Sequence, residues 1–181
     1  MPLLRTWSPY DALLGHVAPL ALASAAPGSS LVVDLDPSGS AYFGGASLAG
    51  LVADGPHRTD LSPSRRGVAV LRNGGIAESD AADVLAALVA GWPHVVLRMP
   101  PLPRPEMPGV VRVVPLGPGF DGRGASQAVY QRGPWPFDRS LPGVVLPRPR
   151  ASTIRSLLEG RRPPTCRWLR AWRAVWGLPW P

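Results

Sequence analysis

Unbroken apolar runs of strand length recur along this chain, and between them lie stretches where apolar residues return at helical spacing. "SLVVDLD" (30–36) is continuously apolar up to its aspartates, the pattern of a strand buried on both faces of a parallel sheet. "GVAVLRNGG" (67–75), "HVVLRMPP" (94–101), "GVVRVVPLGPG" (109–119) and "PGVVLPRP" (142–149) read as further strands, each stopped by glycine or proline. A helix is expected over 9–26, opened by Pro9 with Ser8 as its cap. "SLAGLVADG" (47–55) reads as a short helix closed by Gly55. In "ESDAADVLAALVAGW" (78–92), Leu85, Leu88 and Val89 share one helical face, while Glu78, Asp80 and Asp83 crowd the positive N-terminal end. Residues 56–67 read as a polar loop, 117–142 as an irregular Gly/Pro-rich stretch, and the pairs Gly44-Gly45 and Gly74-Gly75 as turns. There is no internal repeat. Short buried strands alternating with helices predict an α/β domain with a mostly parallel sheet flanked by helices.

The last part of the chain differs in kind. Residues 148–181 hold eight arginines against one acid, Glu159, and four of the seven tryptophans. Two helices are expected there, "STIRSLLEG" (152–160) and "CRWLRAWRAVWG" (166–177). The organisation is therefore read as an α/β core over 1–150 and an Arg/Trp-rich helical tail over 151–181, packed on the core or extending from it.

Composition narrows the chemistry. At 181 residues the chain suits one core, and 24 prolines with 20 glycines imply many turns. The net charge is +7 and all 19 basic residues are arginine, so no activity that needs an ammonium group from this chain is available. Cys166 is the single cysteine, which allows no internal disulfide and no multi-cysteine zinc site and fits a reducing cytoplasm. His16, His57 and His94 are scattered without ligand spacing, so no metal or other cofactor is expected. "ALLGHVAPLALASAA" (12–26) resembles a secretory leader, but Asp11, His16 and Pro19 interrupt it. No run reaches the roughly 18–20 apolar residues of a membrane span, so a buried helix is expected instead.

Asp34 and Asp36, one residue apart where an apolar strand ends, are the chief candidate site. Such a pair serves a phosphatase nucleophile, a metal site or the acidic motif of a nucleotide switch. The order of the surrounding pieces resembles the MinD/ParA family of P-loop ATPases, including its CpaE-like branch associated with pilus positioning. "LVVDLDPSG" is similar to the family's strand ending in an Asp-x-Asp-Pro motif. "GVAVLRNGG…AADVLAALVAGWPHVVLRMPP" resembles its strand, glycine loop, helix and strand ending Asp-x-Pro-Pro. "VVLPRPRASTIRSLLEGRRPP" resembles the late strand, Pro-x-Asp turn and short helix. The resemblance implies a truncated P-loop-like α/β fold.

The departures concern catalysis. The glycine-rich phosphate loop and its lysine are absent from "MPLLRTWSPYDALLGHVAPL". Arg98 stands where the third strand should carry an acid, and Pro147-Arg148-Pro149 replaces the Pro-x-Asp turn. The resemblance thus implies a pseudo-ATPase with Asp34 and Asp36 as a vestigial acidic motif. It would act non-enzymatically as a localisation or scaffold protein through protein partners, in the cytoplasm and peripherally at the inner membrane face. Two alternatives stand beside it. The first is a haloacid-dehalogenase-like phosphatase with Asp34 as nucleophile and Asp36 as acid/base. The second is a nucleic-acid-binding protein working through its arginines, although no helix-turn-helix or aromatic RNA motif is recognisable. In the tail, Trp168, Leu169, Trp172, Val175 and Trp176 form one helical stripe, flanked by Arg167, Arg170 and Arg173. The stripe reads first as a face packed on the sheet. Arg167, Trp168, Arg170, Trp172, Arg173 and Trp176 are together the candidate contact to a partner or an anionic membrane.

Overall fold

A computed structural model describes residues 3–39, 42–55, 61, 68–102, 107–117, 126–134, 136, 140–161 and 163–180. The expected polar loop over 56–67 lies outside the described residues except for Leu61, as does part of the irregular 117–142 stretch. Among the described residues seven strands form one sheet: β1 (Leu3–Trp7), β2 (Ser30–Asp34), β3 (Val68–Leu71), β4 (His94–Arg98), β5 (Val110–Leu116), β6 (Ala128–Arg132) and β7 (Gly143–Leu146). Their order is β3-β2-β4-β1-β5-β6-β7, and every neighbouring pair is parallel. The α/β expectation holds, and the sheet is all-parallel.

Two strands go beyond the sequence reading. β1 lies in the middle of the sheet, where the expected helix over 9–26 had only a leader before it. Its polar Thr6 is accommodated because the hydroxyl donates to Leu97 O of β4 at 3.1 Å. β6 lies within the stretch read as irregular. There the buried Gln131 donates to Pro147 O at 3.1 Å and accepts from Trp168 Nε1 at 2.7 Å.

Among the described residues five helices cover the sheet: α1 (Ala12–Ser24), α2 (Leu48–Asp54), α3 (Ala82–Gly91), α4 (Ala151–Leu158) and α5 (Arg167–Ala171). Because side chains alternate across a strand, the apolar strands feed two cores. Val32, Val96, Val111 and Val113 pack with α1, α4 and α5 on one face. Leu31, Val33, Val95 and Leu97 pack with α2 and α3 on the other.

Helix α1 starts later than expected. Its cap is Asp11, whose carboxylate accepts from Leu14 N at 2.8 Å, so Ser8 and Pro9 precede the helix. Pro19 sits inside α1 and is buried with the apolar run Val17–Ala23, which makes this segment a core helix. The others start and stop near their sequence signals: Ser47 caps α2 through Gly50 N at 3.1 Å, and Gly55 and Gly160 follow α2 and α4 with φ of 75° and 61°. Gly44, Gly74 and Gly75 also have positive φ, as turn residues should.

The last expected helix divides. α5 passes into a 3-10 turn over Trp172–Gly177, which places Leu169, Trp172 and Val175 three residues apart on one line. All three are buried in the α1 core, and Trp168 meets Trp172 edge to face at 5.8 Å. The end of the chain is therefore part of the same core as the first helix. Among the described residues no helix is long and apolar enough to cross a membrane.

Candidate functional site

The chain leaves β2 and β4, neighbours in the sheet, in opposite directions: from β2 outward to β3, and from β4 across β1 to β5. In open parallel sheets such a divergence opens a crevice at the carboxyl ends of the strands, where ligands commonly bind. Asp34 and Arg98 are the last residues of β2 and β4, and the register pairs them directly. Alternation turns both toward the α1 face, alongside Val32 and Val96.

Here the two sequence-selected acids meet Arg98. Arg98 Nη1 lies 3.1 Å from Asp34 Oδ2, and its Nη2 lies 3.0 Å from Asp36 Oδ2. All three are buried: Asp34 is 1% exposed, Asp36 6% and Arg98 6%. The remaining carboxylate oxygens are also engaged. Asp34 Oδ1 accepts from Asp36 N at 3.0 Å, while Asp36 Oδ1 accepts from Ser38 N, Ser38 Oγ and Gly39 N at 3.2, 3.1 and 3.0 Å. The Pro-Ser-Gly segment after Asp36 is thus a turn wrapped on its own acid. Gly39 is needed there for space, because a Cβ would overlap Asp36 and Arg98.

Above the ion cluster, Tyr42 lies over the Arg98 guanidinium at 5.4 Å, and His16 of α1 stacks on Tyr42 with ring centroids 4.4 Å apart. Tyr42 donates its hydroxyl proton to His16 O at 2.9 Å. Burial, aided by Arg98, lowers the His16 pKa to about 4, so the ring is neutral at pH 7. Burial also raises Asp34 to about 6, against the opposing pull of Arg98 and the Asp36 amide. One guanidinium cannot balance two carboxylates in a low-dielectric site, so the excess negative charge favours a proton on Asp34.

Tested against a magnesium-bound nucleotide, the arrangement does not fit. The amides at the N-terminus of α1 would be the natural cradle for an anion, but the Asp11 carboxylate occupies that place. A metal would need Asp34 or Asp36, and Arg98 fills the cation position between them. Among the described residues no group of three or more His, Cys, Asp or Glu gathers in ligand geometry.

The tail candidates separate by burial. Trp168 (2% exposed) and Trp172 (0%) lie within the core, and Trp176 is half-buried with Nε1 donating to Leu22 O at 3.0 Å. These rings hold the tail against α1, with Trp168 and Trp172 enclosed by the core and Trp176 partly open to solvent. Arg167, Arg170 and Arg173 are exposed, as are Arg148, Arg150 and Arg155. Sequence reading missed Asp11, Gly39, Tyr42 and His16 as parts of the site and treated Arg98 only as a departure. An arginine closing a buried apolar strand was the available signal, since such a charge must have a partner. No protein-family profile matches the chain, and no curated protein or solved structure is significantly similar to it.

Proposed function

We propose that this chain is a non-catalytic, MinD/ParA-like pseudo-ATPase that works as a localisation or scaffold protein through protein partners. The observation that carries the reading is Arg98 held between Asp34 and Asp36 at the carboxyl ends of β2 and β4. In an active nucleotide site these positions would face magnesium and phosphate; here the chain supplies its own cation. Asp11 does the same for the anion position at α1. Of the segments that carry the family resemblance, two supply the adjacent strands β3, β2 and β4 and the third supplies β7 at the far edge of the same parallel sheet, which supports a truncated P-loop-like fold.

The phosphatase alternative loses support from the same geometry. A nucleophilic Asp34 would need an open approach and a free carboxylate oxygen, yet it is 1% exposed and its oxygens accept from Arg98 and the Asp36 amide. The exposed arginines of the tail are suited to an anionic surface, such as the inner face of a membrane. The partner-directed reading places its polar contact there, with the tryptophans beneath as the support.

Turnover assays with ATP and with a general phosphate ester, each with magnesium, test the reading. It predicts no hydrolysis above the buffer rate. Magnesium-dependent turnover that disappears in Asp34→Asn would instead establish the phosphatase.

A further inference from the structure

Six large apolar side chains are exposed among the described residues, and four of them gather in the segments that follow β1, β2 and β4. These are Tyr10 (63% exposed), Leu13 (57%), Phe43 (68%) and Leu102 (75%). Apolar residues exposed singly need no explanation, but a contiguous cluster marks a binding surface. Contacts below them tie the four segments together at one end of the sheet. Tyr10 and Leu13 lie on either side of the start of α1, and one turn further on His16 stacks on Tyr42, the neighbour of Phe43. On the other side, Arg112 packs over both Tyr10 and Trp7, and Trp7 Nε1 donates to Pro101 O beside Leu102. The four side chains therefore lie at the carboxyl end of the sheet, where the Asp34–Arg98–Asp36 cluster is buried.

Charge indicates what would cover it. Arg112 Nη2 donates to Tyr10 Oη at 3.1 Å, and Arg72 Nη2 donates to Gly45 O at 3.0 Å beside the Phe43 turn, so cations stand on both flanks. Among the described residues of these connections, the acids Asp11, Asp34 and Asp36 are engaged: Asp11 caps α1, and Asp34 and Asp36 bind Arg98. Glu78 and Asp80 lie after the outer strand β3, at the start of the α3 segment. We infer that the carboxyl end of the sheet is a docking surface for a protein segment with apolar side chains flanked by acids. A second copy of the chain fits poorly, because it would bring the same arginines and a further net charge of +7 to the face. The inference rests on the partner-binding reading above and names its surface.

The test is selection of peptides from a random display library against the full-length protein. Aromatic or aliphatic residues next to Asp or Glu should be enriched. A synthetic version of a selected peptide should bind at least about tenfold more weakly to Phe43→Glu/Leu102→Glu, and also to Tyr10→Glu, with affinity that falls as salt rises. The side chains changed are exposed, so the variants should keep the parent melting temperature. An empty selection, enrichment of basic peptides, or unchanged affinity in both variants would overturn the inference. So would a dimer by light scattering that Phe43→Glu dissolves, since it would assign the face to a second copy. ATP binding, by contrast, would defeat the pseudo-ATPase reading while leaving these outcomes intact.

Discussion

At Arg98 a single guanidinium faces two buried carboxylates, and the consequences are readable in stability. Arg98→Met keeps most of the volume but leaves Asp34 and Asp36 uncompensated, a loss of about 3–5 kcal/mol at pH 7. Denaturant unfolding measures it, and a loss under 1 kcal/mol would show that the cluster is not charged as described. Gly39→Ala should also destabilise, by about 1–3 kcal/mol, because the added methyl meets carboxylate and guanidinium atoms that are pinned to each other. The pH dependence has two opposed parts. Asp34 is raised to about 6 in the fold, above its ordinary 3.8, so its contribution to stability grows as pH falls from 6 toward 4 and is lost as pH rises through 6. His16 is lowered to about 4 from 6.5, so the unfolded chain takes up its proton first and stability is lost as pH falls through that window. The wild type should therefore vary little between pH 4 and 6.5. His16→Phe should become more stable on acidification and Asp34→Asn less stable. Urea unfolding at a series of pH values separates the two, and identical slopes for both variants would contradict the assignment. The aspartates were legible because an apolar strand that ends in two acids is conspicuous. Their pairing was not, since Arg98 lies 64 positions from Asp34 and only the order of β2 and β4 brings the two together.

Among the elements, the strands and helices that sequence made visible are those whose burial leaves a local pattern. β2 is buried at all five positions and reads as a continuous apolar run, while α3 shows its buried Leu85 and Leu88 at helical spacing. β1 and β6 were hidden because Thr6 and Gln131 interrupt their apolar runs, and the partners that make those residues tolerable lie far along the chain. The start of α1 was misplaced for a related reason: Ser8, Pro9 and Asp11 all signal a helix start, and the hydrogen bond to Leu14 N decides for Asp11. Asp11→Ala should cost about 1 kcal/mol through loss of this cap. The tail is bound more strongly to the fold. Trp172 is fully buried beside Trp168 and the residues of α1, so Trp172→Ala should cost about 3–5 kcal/mol, read from the unfolding midpoint. A value near zero would mean that α5 and the following turn do not share the α1 core.

Across the whole molecule, charge and exposed apolar surface are placed on different features of one α/β body. The tail arginines Arg167, Arg170 and Arg173 point outward from a helix whose tryptophans are buried, so replacing all three by Glu should leave the melting temperature unchanged. The same variant should lose binding to anionic vesicles, binding that in the parent chain weakens with salt because exposed charges are screened over about 8 Å at physiological ionic strength. Vesicle sedimentation at two salt concentrations checks this, and undiminished binding by the variant would remove the tail from the contact. The pseudo-ATPase reading requires the crevice between β2 and β4 to be closed to nucleotide. Calorimetric titration of the full-length protein with ATP and magnesium tests that point most directly. With Arg98 in the cation position and Asp11 in the anion position, no saturable heat should appear. A micromolar dissociation constant, about −8 kcal/mol of binding, would contradict the account.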